Sequence, residues 1–346
     1  MRLERFSLDL ATPLATAHGT IDAREGFLVF VEIEGTRGVG EATPLPGWTE
    51  SLETCQDALD RARRTVETDG WDAALATLTD ADAPAARHGL VLALCDARSR
   101  AAGVPLYRYL DGGHTERVPA NATVGDGGVE ATVDEAIEAV GQGFSTLKIK
   151  VGAREVAEDV DRIDAVRNAV GNDVALRADA NGAWRREEAR TALDGFAGLD
   201  VAFVEQSLAA DDLAGHAALR GGSVGIALDE ALAEHSVGTV LDANAADVLV
   251  VKPMVLGGPD RARGAALRAR EAALDAVITT TIDGALARAG AVHVVASLAD
   301  PPACGLATAD RLAEDLVSDP APITAGEAHV PQEPGNVSDP PTPGER

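Results

Sequence analysis

From Pro119 onward the chain repeats one texture about every 25 residues: an apolar, β-branched run, a polar turn, then a stretch rich in Ala, Glu and Arg. The strand candidates are 119–124, 145–151, 173–179, 201–205, 225–229, 247–252 and 276–281, with a short last one near 303–306. Helical stretches such as 130–141, 154–170 and 186–197 separate them. Continuous apolar strands alternating with helices imply a parallel sheet covered on both faces. Seven or eight such units in series favour a closed α/β barrel over an open sheet. A parallel barrel brings the C-terminal ends of all its strands to one face, and this fixes where the chemistry must be sought.

The residues before the repeat read differently. Segments 3–10 and 26–35 are strand candidates, and Thr16–Arg24 between them is small and polar, as in a mobile loop. Residues Gly38–Trp48 are too rich in Gly and Pro to predict regular structure. Helical patterns follow at 51–67 and 84–102, the second ended by Gly103-Val104-Pro105. The expected organisation is an α+β unit over 1–115 and the barrel over 116–315. Residues 316–334 would return to the first unit, and a Pro- and Gly-rich tail over 335–346 reads as disordered.

Lysine is the next constraint. There are 30 Lys and Arg residues but only three lysines, Lys148, Lys150 and Lys252. All lie in apolar runs, where an ammonium is costly to bury unless it has a task. In a strand Lys148 and Lys150 share one face. Lysine, unlike arginine, loses its proton near neutral pH when desolvated and so serves as a base. The plainer reading is two solvated charges on an edge strand. The formal net charge of −26 argues against nucleic acid or an anionic membrane as partner. Spread along the chain and joined to the loss of lysine, it reads as adaptation to high intracellular salt. Cys55, Cys95 and Cys304 have no CxxC spacing, which suits a reducing cytoplasm. The N-terminus lacks the apolar core of a signal peptide, and no run reaches membrane-spanning length.

Charged residues end successive strands: Lys148 and Lys150, then Asp179, Glu205, Asp229 and Lys252. The intervals from Lys150 are 29, 26, 24 and 23 residues, each one βα unit. Three converging carboxylates are hard oxygen ligands suited to Mg²⁺. One strand-end Asp is more often a helix N-cap; five charged strand ends in register are hard to explain that way. A divalent ion on a carboxylate oxygen acidifies the adjoining carbon, and a neutral lysine beside it can take the proton.

The set Lys-x-Lys, Asp-x-Asn, Glu, Asp-Glu and Lys on successive strands resembles the enolase superfamily, in its muconate-lactonizing-enzyme subgroup, over residues 1–315. That resemblance implies a modified (β/α)7β TIM-type barrel with an N-terminal α+β capping domain. It implies Asp179, Glu205 and Asp229 as ligands of Mg²⁺, with Mn²⁺ as a substitute. Lys150 would be the base, Lys148 its tuning neighbour and Lys252 the opposite lysine. Within the subgroup, Gly40-Glu41-Ala42-Thr43-Pro44-Leu45-Pro46-Gly47-Trp48, Thr279-Thr280-Thr281 and Gly305-Leu306-Ala307-Thr308 resemble the o-succinylbenzoate synthases. Dipeptide epimerases usually carry Asp-x-Asp at the eighth strand; Cys304-Gly305-Leu306 here counts against an α-amino substrate. The resemblance implies a small-molecule carboxylate substrate, a cyclohexadiene, dehydrated on the way to menaquinone. Thr279, Thr280, Thr281, Gly305, Leu306, Arg24, Arg177 and Asn181 are the expected substrate contacts, and His18 would join Arg24 in closing over the pocket. For Arg177 a core-edge salt bridge is the plain alternative, and for His18 and Arg24 simple solvation. The rival functions are an N-succinylamino-acid racemase or dipeptide epimerase of the same subgroup, and a catalytically inert barrel.

Overall fold

The computed structural model describes residues 1–346 apart from 17, 18, 81, 345 and 346. Three antiparallel strands open the chain: β1 (Arg2–Thr16), β2 (Gly19–Ile33) and β3 (Thr36–Ala42), in that order across the sheet. The unbroken apolar run in β2 exists because both of its faces are covered. Phe27, Val29 and Val31 pack towards α1 (Leu52–Asp80) and α2 (Pro84–Ala101), while Leu28 and Phe30 pack with Phe6 and Leu8. Pro84 opens α2 in its first turn, where the missing N–H costs nothing.

Two expectations for this unit are corrected. Residues 19–24 are not a loop: Leu8 pairs with Arg24, Asp9 with Ala23 and Leu14 with Ile21, so the hairpin ladder runs past the polar sequence. His18 lies outside the described residues. The segment Gly38–Ala42 is strand, not irregular chain. Its glycines serve close approach: a Cβ on Gly40 would stand 2.0 Å from the Gly89 carbonyl oxygen, so α2 packs directly on the β3 backbone.

The second unit continues through β4 (Arg117–Pro119), β5 (Ala122–Val124), β6 (Thr146–Lys150), β7 (Ala175–Asp179), β8 (Val201–Glu205), β9 (Gly225–Leu228), β10 (Val248–Val251) and β11 (Asp275–Ile278). Strands β5 to β11 form one parallel sheet in sequence order. The sheet closes through two residues: Cys304 bridges Ala120 at one edge and Gly305 bridges Thr279 at the other. The Cys304 N–H donates to the Pro119 carbonyl and the Gly305 N–H to that of Ile278, each at 2.9 Å. The fold is thus an α/β barrel of parallel strands with an antiparallel N-terminal cap.

Downstream, β12 (Ile323–Thr324) and β13 (Glu327–His329) form a hairpin on β4. Leu312, Leu316 and Val337 pack with Phe6, Leu8 and Phe30 of the cap. Disorder from Gly335 onward, expected from composition, is corrected at its start. The Asn336 N–H donates to Asp96 Oδ1 at 2.7 Å, its side-chain amide donates to the Leu286 carbonyl, and Val337 is buried. Specific partners outweigh the polar composition there. No helix among the described residues is long and apolar enough to cross a membrane.

Candidate active site

Parallel register builds the site. Lys150 is the aligned partner of Asp179 on the next strand, and Asp179 of Glu205 on the one after. Asp229 follows the end of β9, and Lys252 the end of β10. The three carboxylates are deeply buried, at 1, 2 and 4% exposure for Asp179, Glu205 and Asp229. Burial of that depth demands compensation, and the three lysines supply it. Lys148 Nζ lies 2.9 Å from Glu205 Oε1 and 3.0 Å from Asp179 Oδ2. Lys150 Nζ lies 2.7 Å from Asp179 Oδ2 and 2.7 Å from Asn181 Oδ1. Lys252 Nζ donates to both carboxylate oxygens of Asp229.

The electrostatics separate these groups. Burial works against the Lys148 charge, but Asp179 and Glu205 outweigh it and hold its proton well above the usual lysine range. Burial likewise opposes ionisation of Asp179, yet Lys148 and Lys150 hold that carboxyl well below its ordinary value. Burial and the charge of Asp179 push Glu205 up to about 7. Burial also raises Asp229, against the pull of Lys252.

Among the described residues no group of three acidic, histidine or cysteine side chains stands gathered around a point where a metal would sit. The ammonium groups hold the carboxylate oxygens instead. The donor set nevertheless fits a hard divalent cation. It consists of three buried carboxylates from successive strands, whose oxygens are already in contact with positive charge.

The expected substrate contacts divide. Asn181 belongs to the cluster: it accepts from Lys150 and donates to Glu230 Oε1 at 2.9 Å. The Thr279 hydroxyl donates to the Gly305 carbonyl, Thr280 pairs with Thr308, and Thr281 donates to Asp283. Leu306 is part of the apolar core, and Gly305 leaves room for Thr279, whose Oγ1 would lie 2.3 Å from a Cβ there. Among the described residues Arg177 makes no carboxylate pair; it donates to Ala303 O at 2.7 Å and lies over the Phe203 ring inside the barrel. Arg24 is not solvated, the plain alternative for it: it is 2% exposed and donates to the carbonyls of Thr43, Pro44 and Ile282. Its strand placement turns it inward, so it ties the cap to the barrel.

Three residues beyond the sequence-derived set complete the region. Gln206 Oε1 accepts from the N–H groups of Asp229 and Ala231, which fixes the loop carrying Asp229. Glu230 has a second oxygen that is buried and without a hydrogen bond among the described residues. Trp48, from the cap, covers Lys252. With Gly47, Asn181 and Gln206, Trp48 and Glu230 border a cavity of about 210 Å³ above the strand ends. A larger cleft of about 610 Å³ shares Gly47 and Trp48 with it and runs beside Arg87 and Arg261; none of the three carboxylates lines either one. A polar residue adjacent to a strand-end acid was the signal available for Gln206 and Glu230; Trp48 ends the Gly40–Trp48 motif, but nothing in that motif pointed to Lys252.

Fold and site together define a (β/α)-barrel enzyme with lysines and carboxylates on one rim. Residues 131–337 match the family "Enolase C-terminal domain-like", and residues 1–103 match "MenC, N-terminal domain". The chain belongs to the enolase superfamily. It is 31% identical over 305 residues to the L-Ala-D/L-Glu epimerase of Bacillus subtilis, covering 85% of this chain and 83% of that one. It is 38% identical over 211 residues to the o-succinylbenzoate synthase of Thermobifida fusca, covering 59% and 64%. The dipeptide epimerase of Enterococcus faecalis V583, solved with Mg and L-Leu-L-Tyr, superposes with a TM-score of 0.87 at 26% identity, covering 97% and 98%.

Proposed function

We propose that this chain is an o-succinylbenzoate synthase. It would catalyse the syn dehydration of 2-succinyl-6-hydroxy-2,4-cyclohexadiene-1-carboxylate (SHCHC) to 2-succinylbenzoate in menaquinone biosynthesis. The observation that carries the chemistry is the unequal pairing of the lysines around the three carboxylates. The reaction is favoured over its rivals by the match of residues 1–103 to the MenC N-terminal domain and by the resemblance to the Thermobifida enzyme.

Asp179, Glu205 and Asp229 would hold Mg²⁺, or Mn²⁺ in its place. A divalent ion there supplies Lewis-acid charge beside a substrate carboxylate, which eases loss of a proton from the adjoining carbon. Lys148, fastened between two carboxylates, keeps its proton and sets the local charge. Lys150 has one carboxylate and one neutral amide as partners and the most exposed side chain of the three lysines, 33% against 16% for Lys148 and 10% for Lys252, so it is the lysine best placed to act as base. It takes the proton from the carbon α to the carboxylate. The C–H electron pair moves onto the carboxylate as an enediolate, and its return into the ring expels the hydroxyl as the C–O bond breaks. The same lysine returns the proton to the departing hydroxide, and water leaves from that face. Lys252, as ammonium, faces the developing negative charge from the other end of the row.

Racemisation or epimerisation is the second reading, favoured by the Bacillus relative and by lysines at both ends of the row. Cys304-Gly305-Leu306, without a carboxylate, supports the dehydratase over an α-amino substrate. The acidic, lysine-poor composition supports a salt-rich cytoplasm as the setting. The test is loss of diene absorbance when fresh SHCHC is added with Mg²⁺ in high salt, for wild type and Lys150→Ala. Turnover needing both metal and Lys150 is the expected result. A folded, Mg²⁺-binding protein that leaves SHCHC intact would overturn the substrate assignment, and α-deuterium exchange on N-succinyl amino acids would then decide for the racemase.

A further inference from the structure

Trp48 comes from the cap but ends at the barrel's chemistry. A closed turn sets it: the N–H groups of Trp48 and Thr49 both donate to the Leu45 carbonyl at 2.9 Å, and the Leu45 N–H donates back to Thr49 Oγ1 at 2.8 Å. Gly47 before it takes φ 92°, a left-handed conformation open to glycine at little cost. The turn delivers the indole face to Lys252, whose Nζ stands 3.4 Å from the ring centroid. Lys252 therefore has two partners from distant parts of the chain, the Asp229 carboxylate and the Trp48 face.

These partners are not equivalent. Asp229 is one of the three carboxylates suited to a divalent cation, and a carboxylate that turns to a cation releases its ammonium. The indole face carries no charge to be claimed, and its quadrupole attracts an ammonium most strongly where water is excluded. We infer that Trp48 is a positioning residue: it holds the Lys252 ammonium in place at the strand ends when Asp229 is otherwise engaged. Lys252 is then in place only when the cap is seated. The same side chain also walls the 210 Å³ cavity. The inference rests on the reading of Lys252 as the lysine that faces developing charge.

The experiment compares Trp48→Leu and Trp48→Phe with the wild type in the full-length, Mg²⁺-loaded protein. For Trp48→Leu, kcat is expected to fall roughly 5- to 30-fold, the range a partly desolvated cation–π contact supports. KM should move little, and Trp48→Phe should restore much of the loss because it keeps a π face. A rise in KM at unchanged kcat, with Phe no better than Leu, would make Trp48 a wall only and overturn the inference. A second readout needs no substrate. The emission contributed by Trp48, read as the difference between wild type and Trp48→Phe, should change on Lys252→Met. An identical difference spectrum would overturn the contact even if SHCHC proved inert, which separates this failure from failure of the proposed reaction. If SHCHC is inert but N-succinyl amino acids exchange their α-proton, the same kcat comparison is made on that exchange.

Discussion

Glu41 of the cap and Gly284 of the barrel are joined directly: the Gly284 N–H donates to Glu41 Oε1 at 2.7 Å, across 243 residues of sequence. The other carboxylate oxygen accepts from the Ala287 N–H at 2.9 Å, so one cap side chain closes the N-terminus of the helix Ala285–Ala296. Burial, with Asp283 adding to it, pushes this carboxyl up to about 7. The folded value lies above the unfolded one, so the folded protein holds the proton more tightly. Stability from this site is complete below about pH 4.5 and lost as pH rises through about 7. The shift corresponds to about 3 kcal/mol. The stability gap between wild type and Glu41→Gln should therefore move by about that amount in favour of the variant between pH 4.5 and 7.5. Urea midpoints in high salt measure it; a gap that stays constant with pH would count against a buried, proton-binding Glu41.

Lys150 is expected to carry the chemical step. Lys150→Ala should lower kcat by about 10²- to 10⁴-fold, the range for a positioned general base, with the circular dichroism spectrum unchanged. Lys150→Arg should not restore activity, because a guanidinium keeps its proton. Full activity in either variant would remove Lys150 from the role of base.

Lys148 compensates two buried carboxylates. Lys148→Met leaves Glu205 without an ammonium and Asp179 with Lys150 alone, and about 3–5 kcal/mol of stability should be lost in metal-free buffer. Added Mg²⁺ should recover part of that loss, since a ligand that binds only the folded state adds about 2.7 kcal/mol at 100 times its Kd. Thermal unfolding with EDTA and with Mg²⁺ checks both halves. In the Glu205→Gln variant the Mg²⁺-dependent rise should shrink sharply.

Gly305 is held to glycine by space rather than by backbone angle. A Cβ there would stand 2.3 Å from Thr279 Oγ1 and 2.9 Å from its Cβ, at the junction that closes the barrel. Gly305→Ala should destabilise the protein by about 1–3 kcal/mol through overpacking. Differential scanning calorimetry would register it as a fall in Tm.

Local pattern made much of this protein legible. Strand β6 was readable from Thr146-Leu147-Lys148-Ile149-Lys150 because a parallel barrel strand is covered on both sides, and the two lysines mark the single polar face. Asp179, Glu205 and Asp229 were readable because a βα unit has a nearly fixed length, so a strand-end acid recurs at a predictable interval. The glycines of β3 misled for the opposite reason. Their role depends on how closely α2 approaches, and α2 lies some fifty residues on. Arg24 misled likewise, since its partners at Pro44 and Ile282 belong to separate units.

The sequence by itself determined the repeat, the barrel and the rim of charges, since each follows from periodicity within about 30 residues. The tertiary structure alone decided which lysine bridges two carboxylates, which cap side chain covers Lys252, and how Asn336 comes to be buried. Those relationships join residues distant in the chain, and no local periodicity encodes them. They exist because a buried polar group must find its partners among whatever the fold brings within reach.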